Sequence, residues 1–307
     1  WEHKKWNITD FPEFELAITI DSPELYYDFL QKDWTRFCHD YWKNNFLEHH
    51  TLSQKRVTRI YIGNQFCHNL FPRKELLFQV LEKALENNLA VTLAFSYIRN
   101  HLLEEIDELL QELEVWCQSR EKEAGKDQEE IIVNDWAMPI LLQGKPHLKP
   151  VLGVLLNKRR KDVRLPYKHG IGNHVDSLAE NNLNCGFYQD YLKNTFDIQR
   201  FEFESCGYKV TIPDGHHSLH LPFFQTNTSQ YCTLYAVCRY GDREKQKLPE
   251  NCPKYCEQKV FLYPKHLKMV GRYNSLFGYD EKILWDEKQL QDYLEQGIDR
   301  IVVNVSL

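Results

Sequence analysis

The stretch "VTRIYIGNQFCHNLFPRKELLFQVLEKALENNLAVTLAFSYI", residues 57–98, contains the pattern that decides the fold. The segments at its two ends, "VTRIYIG" and "LAVTLAFSYI", are short and rich in β-branched and aromatic residues, which predicts two strands. Between them, "RKELLFQVLEKALENN" has apolar residues three or four positions apart, as on one face of an amphipathic helix. A strand, a helix and a second strand in this order predict a parallel β-α-β unit.

The same alternation continues on both sides of this unit. The segment "FELAITI" (14–20) predicts a strand, and a helical pattern follows Asp21 and Ser22, which are candidate helix caps. Beyond the unit, we expect a long helix at 101–119, strands at 130–135 and 148–156, and further strands near residues 200 and 300. We therefore predict one α/β domain over residues 1–307 with a (β/α) barrel-like fold, irregular or incomplete. Residues 1–56 are expected to form an N-terminal strand and helical segment packed on it.

Bulk composition excludes several classes of protein. The formal net charge is −6, which argues against a broad nucleic-acid-binding surface. No apolar run approaches the roughly 18 residues that a membrane-spanning helix needs. The N-terminal "WEHKKWNITD" has no apolar signal core, so we expect a cytoplasmic protein without a membrane span.

The cysteines are unevenly distributed. "YCTLYAVCRYGDREKQKLPENCPKYC" (231–256) holds four of the nine cysteines within a polar stretch. Because cytosolic thiols stay reduced, a disulfide framework is not expected. Four thiols in one polar loop favour a soft-metal site, either zinc or an iron–sulfur cluster, over a chance grouping. Only "CPKYC" approximates a zinc knuckle, and its three intervening residues favour iron–sulfur over zinc without excluding zinc.

The other cysteines divide into one candidate and four structural residues. Cys67 follows the second predicted strand, and functional sites of (β/α) barrels lie at the carboxyl ends of the strands. The basic loop after Leu156 and the cysteine-rich stretch also follow strands, so we expect these three segments to meet. Cys38, Cys117, Cys185 and Cys206 lie in helical or strand contexts and are predicted to be buried small side chains.

Several segments resemble motifs of the UbiU/UbiV-like family, which also includes the so-called collagenase-like peptidases. These segments are "VTRIYIGNQFCHNLFPR", "EIIVNDWAMPILL", "PVLGVLLNK" and the S-x-x-C…C-x-x-x-C arrangement of Ser229, Cys232, Cys252 and Cys256. The resemblance runs from Val57 to the C-terminus. The first 50 or so residues have no counterpart in it, and Ala137 stands where glycine is more usual.

The resemblance implies an α/β barrel-like fold and a bound [4Fe–4S] cluster. Its cluster ligands would be Cys67, Cys232, Cys252 and Cys256, with Cys238 as the alternative to Cys232. The activity implied is oxygen-independent hydroxylation, or a related redox modification of a small molecule, quinone precursor, peptide or RNA base. One alternative is a non-catalytic cluster-bearing subunit that stabilises a homologous enzyme as a heterodimer, or a homodimer. A peptidase-like protein is the other, although no protease nucleophile or metal motif is present.

Three residues are candidates for catalytic or substrate-binding roles. The implied oxygen donor, prephenate, is a dianion, and Arg159 and Arg164 in "LNKRRKDVR" are candidates to bind its carboxylates. A solvated basic loop is the alternative for both. Asp135, after a strand, is a candidate to orient a substrate or a proton, or else caps the following helix.

The histidines of "GHHSLH" form a further candidate metal site. These are His216, His217 and His220. A surface cluster without a metal is the favoured interpretation of the three residues.

Overall fold

The computed structural model describes residues 11–124, 128–163, 178–249 and 251–305, without the side chains of 121–124. Its largest feature is an eight-stranded sheet in which every neighbouring pair of strands is parallel. The strands of this sheet, numbered in chain order, are β1 (Glu15–Ile20), β2 (Arg59–Gly63), β3 (Ala90–Ala94), β4 (Glu129–Val133), β5 (Leu148–Leu152), β6 (Glu202–Glu204), β7 (His217–Leu221) and β12 (Ile298–Val303).

The sheet is nearly closed into a barrel. Its spatial order is β5-β4-β3-β2-β1-β12-β7-β6. A single parallel bridge between Leu152 and Phe201 joins the two edge strands. The prediction of an α/β barrel-like fold is therefore confirmed.

Helices surround the barrel. The described α-helices are α1 (Pro23–Gln31), α2 (Trp34–Asn44), α3 (Lys74–Glu86), α4 (Leu103–Ala124), α5 (Ala137–Leu141), α6 (Gly186–Phe196), α7 (Thr233–Tyr240) and α8 (Glu287–Glu295). Local sequence explains where α1 starts. The hydroxyl of Ser22 accepts a hydrogen bond from the amide of Leu25, and Pro23 occupies the first turn of the helix. No helix among the described residues is long and apolar enough to cross a membrane.

Alternating residues of the strands build two separate cores. In β1, Leu16, Ile18 and Ile20 point outward and pack in the large core beneath the helices. Ala17 points the other way, into a smaller core inside the barrel. That inner core consists of Ala17, Tyr61, Ala94, Ile132, Val151 and Val302. Charged and polar side chains fill much of the remaining interior of the barrel.

An insertion between β7 and β12 forms a second, antiparallel sheet. Its strands are β8 (Phe223–Thr228), β9 (Phe261–Leu262), β10 (Met269–Arg272) and β11 (Ser275–Tyr279), in the order β8-β11-β10-β9. A small third core includes Tyr273 and Phe277 of the insertion and Leu70 from the loop after β2. The insertion thus packs on the carboxyl end of the barrel, where functional sites of this fold lie.

The first strand of the chain is a central strand of the barrel. β1 lies between β2 and β12 in the middle of the sheet, and helices α1 and α2 follow it in the chain. A strand buried on both faces explains why four of the six residues of "ELAITI" are apolar.

Candidate functional site

Four cysteines line one pocket at the carboxyl end of the barrel, which we call the thiol pocket. Its volume is about 390 Å³, open space at its mouth included. Its lining is Cys67, Asn69, Leu70, Arg99, Gln230, Cys232, Pro249, Cys252, Cys256, Tyr273 and Asn274. Cys67 therefore meets the cysteine-rich stretch in space.

Cys67 is fixed by the turn that follows β2. The side-chain oxygen Oδ1 of Asn64 accepts hydrogen bonds from the amides of Phe66 at 3.0 Å and Cys67 at 2.9 Å. Gly63 has φ of 108°, and a Cβ there would lie 2.6 Å from the carbonyl oxygen of Ala94. Only glycine suits that position. Cys67 is consequently attached to the rigid part of the molecule.

Cys232 stands at the start of α7. Its Sγ accepts a hydrogen bond from the amide of Tyr235 at 3.3 Å, which is the position of a helix cap. The thiol also donates to the carbonyl oxygen of Tyr273 at 3.0 Å. The start of a helix favours negative charge, so this position suits a thiolate.

Cys252 and Cys256 lie on either side of a tight turn. Lys254 between them adopts a left-handed conformation with φ of 53°, and a single 3₁₀ turn (Tyr255–Glu257) follows. Arg272 donates from Nε to the carbonyl oxygen of Cys256 at 3.1 Å and ties this loop to β10. The turn brings both thiols to the same pocket.

The thiols of this pocket lie close to one another; Cys256 is buried, and Cys67, Cys232 and Cys252 are half-buried. Burial raises the pKa of Cys67 to about 12, and the neighbouring Cys232 and Cys252 raise it as well. The pKa of Cys256 also rises to about 12, chiefly through burial and then through the other three thiols. Near neutral pH, Cys67 and Cys256 are therefore protonated in the protein alone. A positive group is needed to hold them together as thiolates.

The cysteines of the thiol pocket supply sulfur ligands, the type that zinc and iron–sulfur clusters take. Within the described ranges, no group of three or more His, Cys, Asp or Glu side chains is arranged to hold a metal ion. Four thiols around a common space, with no carboxylate or histidine among the lining residues, are the ligands that such a cluster takes.

The other cysteines have different surroundings. Cys238 is half-buried and packs against the core of the insertion, but it is not among the residues lining the thiol pocket. Cys117 and Cys206 are buried as predicted, whereas Cys38 is half-buried and Cys185 is exposed. The pocket lining thus includes Cys232 rather than its alternative, Cys238.

A second pocket of about 450 Å³, open space at its mouth included, lies beside the first, and we call it the barrel-mouth pocket. It is lined from the ends of seven barrel strands, every one except β4, by Thr19, Asp21, Tyr61, Gly63, Asn64, Gln65, Phe66, Ala94, Val154, Glu204, His220 and Asn304. The loop after β2 separates the pockets, because Phe66 faces the barrel mouth and Cys67 the thiols. The hydroxyl of Tyr273, in the thiol pocket, also donates to Asp21 in the barrel mouth at 3.4 Å.

Below the barrel mouth, paired charges fill the barrel interior. Arg300 donates to Glu130 from Nη1 at 2.6 Å and from Nη2 at 3.0 Å, and to Glu15 from Nε at 2.6 Å. Arg59 contacts the same two carboxylates at 2.9 and 3.3 Å. Burial would raise the pKa of Glu130, but the charges of Arg59 and Arg300 lower it to about 2. The interior charges are thereby neutralised within the protein.

Two catalytic candidates from the sequence, Asp135 and Arg159, lie outside both pocket linings. Asp135 accepts hydrogen bonds from the amides of Ala137 at 3.0 Å and Met138 at 3.1 Å, and from that of Ile98. Its carboxylate therefore caps α5, as the alternative interpretation holds. Arg159 donates to the carbonyl oxygen of Glu204 at 2.5 Å and lines neither pocket.

Arg164 lies outside the described residues. The surface-cluster interpretation of the histidines is wrong for two of the three: His216 has 81% of its side chain exposed, but His217 and His220 are buried. His217 stacks on Phe201 with ring centroids 4.8 Å apart. His220, in contrast, lines the barrel-mouth pocket.

Sequence reasoning missed the acidic residues of β6. Glu202 and Glu204 alternate with Phe201 and Phe203 and point into the barrel, where Glu204 forms a buried ion pair with Lys161. The alternation in "RFEFES" was the available signal, because a charged face on a strand that must be buried on both sides indicates a paired or functional interior.

Comparisons with family models, curated proteins and solved structures give no significant match to this chain.

Proposed function

We propose that this protein is an iron–sulfur protein of the UbiU/UbiV-like type, with a [4Fe–4S] cluster bound by Cys67, Cys232, Cys252 and Cys256. It takes part in oxygen-independent hydroxylation or a related redox modification of a small molecule. The observation that carries the proposal is that one pocket is lined by four thiols from segments far apart in the chain.

The neighbouring pocket supports a redox role. When bound, the cluster supplies an electron donor or acceptor in the thiol pocket. The barrel-mouth pocket lies on the other side of the loop 63–70, at the end of the barrel where enzymes of this fold bind their substrates. A small molecule there would be one loop away from the cluster.

A structural role for the cluster is the second candidate. One ligand, Cys67, belongs to the barrel, whereas the other three belong to the insertion, so a bound cluster would fasten the insertion to the barrel. In that case the chain acts as a non-catalytic subunit beside a homologous cluster-bearing partner. Substrate turnover by the isolated chain distinguishes the first candidate from the second.

The test is anaerobic purification, followed by visible absorption spectroscopy and analysis of iron and acid-labile sulfide. We expect a brown protein with about four iron and four sulfide ions per chain. Each of Cys67→Ser, Cys232→Ser, Cys252→Ser and Cys256→Ser should lose most of the iron and the visible absorption.

Two variants provide matched controls. Cys185→Ser removes an exposed thiol away from the pocket, and Cys238→Ser removes the alternative ligand. Both should keep the full iron content. An iron-free, colourless wild-type protein would refute the cluster, and loss of iron in Cys238→Ser with retention in Cys232→Ser would refute the ligand set.

A further inference from the structure

The insertion carries a charge opposite to that of the protein as a whole. Residues 223–279 contain nine Lys and Arg against four Asp and Glu, although the chain has a formal net charge of −6. The rest of the chain is therefore more acidic than the total indicates. A positive region on a negative protein attracts acidic partners to that region and raises the rate at which they associate.

Six exposed cations of the insertion form no ion pair with a described residue. These are Arg239, Arg243, Lys245, Lys247, Lys259 and Lys265. Lys268 differs from them, because its Nζ lies 3.0 Å from Oε1 of Glu281. A cation whose charge is not offset by a neighbouring carboxylate contributes fully to the positive potential in front of the surface.

Two of the six cations flank β9, which is an edge strand. Lys259 precedes this strand and Lys265 follows it. The order of the sheet is β8-β11-β10-β9, so among the described strands β9 pairs only with β10. The other side of an edge strand offers unpaired backbone N–H and C=O groups, to which an extended segment can add.

The side chains around β9 alternate between the core and solvent. Phe261 packs against the core of the insertion. Its neighbours Val260 and Leu262 are 42% and 82% exposed. Two exposed aliphatic side chains beside an open strand edge provide a surface on which alternate side chains of an added strand can pack.

Charge argues against a second copy of this chain as the added strand. If β9 paired with β9 of another copy, in either direction, Lys259 and Lys265 would come close to the same two lysines of that copy. Lysines beside an edge strand are a common protection against such self-association. The same charges favour a segment that is rich in Asp and Glu.

The apolar part of this surface favours a protein segment over a nucleic acid. Nucleic acids are bound mainly through their phosphates and, when single-stranded, through stacking of bases on aromatic rings. The most exposed side chain of β9 is that of Leu262, which is aliphatic. An open strand edge likewise matches a polypeptide backbone, which has N–H and C=O groups at the same spacing.

We propose that the edge of β9 binds an extended, acidic segment of a partner protein. The segment pairs with the backbone of β9 as a fifth strand of the sheet. Its carboxylates contact Lys259 and Lys265, and its apolar side chains cover Leu262. This inference goes beyond the proposed function, because docking at β9 requires no cluster and assigns no reaction.

The experiment uses short fluorescent peptides in which Val alternates with either Glu or Lys. Fluorescence anisotropy with the full chain measures their dissociation constants at low and at physiological salt. We expect the Glu peptide to bind about tenfold or more tightly than the Lys peptide, and salt to weaken its binding. N-methylation of alternate backbone amides should abolish binding when it blocks the peptide edge that faces β9, and preserve binding when it blocks the other edge.

Variants identify the surface that binds the Glu peptide. Lys259→Glu and Lys265→Glu should each weaken its binding about fivefold. Leu262→Ser should weaken it about threefold through lost apolar contact. Lys193→Glu is the matched control, because Lys193 is exposed on α6, outside the insertion, and its reversal should change the affinity by less than about twofold. Circular dichroism establishes that the variants are folded.

Several results would overturn this proposal. They are the absence of binding by the Glu peptide, equal affinities of the Glu and Lys peptides, equal effects of Lys193→Glu and Lys259→Glu, and tighter binding of a single-stranded uridine oligonucleotide. Iron analysis of the same samples separates this proposal from the proposed function. An iron-free chain that binds the Glu peptide would refute only the cluster, whereas an iron-loaded chain that does not bind it would refute only the docking surface.

Discussion

The thiol pocket and the barrel-mouth pocket share one loop but differ in how their polar groups are satisfied. In the barrel, Glu15, Glu130 and Glu202 have arginine or histidine partners at hydrogen-bonding distance. In the thiol pocket, burial and neighbouring thiols raise the pKa of Cys67 and Cys256, and the nearby cations are Arg99 in the pocket lining and Arg272 beside Cys256. The barrel carboxylates have their cations within the protein, whereas four thiolates would need more positive charge than these two arginines supply.

This difference follows from where the residues come from. The barrel charges project from adjacent strands whose register is fixed by backbone hydrogen bonds. Three of the four thiols belong to the insertion, whose own sheet has only four short strands. A framework of strands can pre-organise charges, whereas an insertion of this kind depends more on what it binds.

The largest predicted loss of stability should follow from removing a cation from the interior of the barrel. Arg300→Met leaves Glu130 and Glu15 without their main partner in a buried site, because the arginine side chain is only 3% exposed. We expect the free energy of unfolding to fall by about 3–5 kcal/mol. Urea denaturation monitored by circular dichroism measures the change.

A surface ion pair provides the control for this prediction. Lys282 lies 2.9 Å from Asp286 on the protein surface, with 54% of the lysine side chain exposed. Lys282→Met should lower the free energy of unfolding by less than about 1 kcal/mol. Equal losses in the two variants would show that the barrel charges are no more interdependent than a surface pair.

The second prediction concerns how the alkylation rates of the thiols depend on pH. Alkylation requires the thiolate, and the raised pKa of Cys67 and Cys256, about 12 in each, keeps both thiols protonated in the iron-free protein. Their alkylation rates should therefore rise about tenfold per pH unit from pH 7 upward, with no plateau near the ordinary thiol pKa of about 8.5. Iodoacetamide labelling followed by mass spectrometry of the peptides measures the rates.

Urea-unfolded protein is the control for this prediction, because all nine cysteines then lose their surroundings. There the rates of the same two thiols should level off above about pH 8.5. A plateau at that pH in the folded, iron-free protein would contradict the buried thiol environment. Bound cluster should block alkylation of both residues.

The sequence predicts the barrel because its strands carry strong local signals. Segments such as "RIYIG" and "AVTLA" are short apolar runs between amphipathic helices, and that alternation allows few topologies. β10 and β11 were not predicted. They are joined through Tyr273 and Asn274, and this turn lacks the Asn-Gly or Asp-Gly signature by which hairpins are recognised.

The candidate sites were predictable to different degrees. Cys67 and the cysteine-rich stretch were expected to meet, because both follow strands that end on the same side of the barrel. The pairing of His220 with Glu202 was missed, since it depends on the register between β6 and β7, in which Glu202 lies opposite Ser218. That register is a tertiary property, and no local pattern encodes it.

The smallest predicted loss of stability should come from substituting a residue that lines neither pocket. Asp135 accepts hydrogen bonds from two amides at the start of α5 and from the amide of Ile98, and Asp135→Ala leaves all three without that partner. We expect a loss of about 1 kcal/mol in the free energy of unfolding, the usual effect of losing a helix cap. Iron content should stay at the wild-type value, because the side chain does not line the thiol pocket. A selective loss of iron, with little change in stability, would give Asp135 a functional role and would link α5 to the thiol pocket.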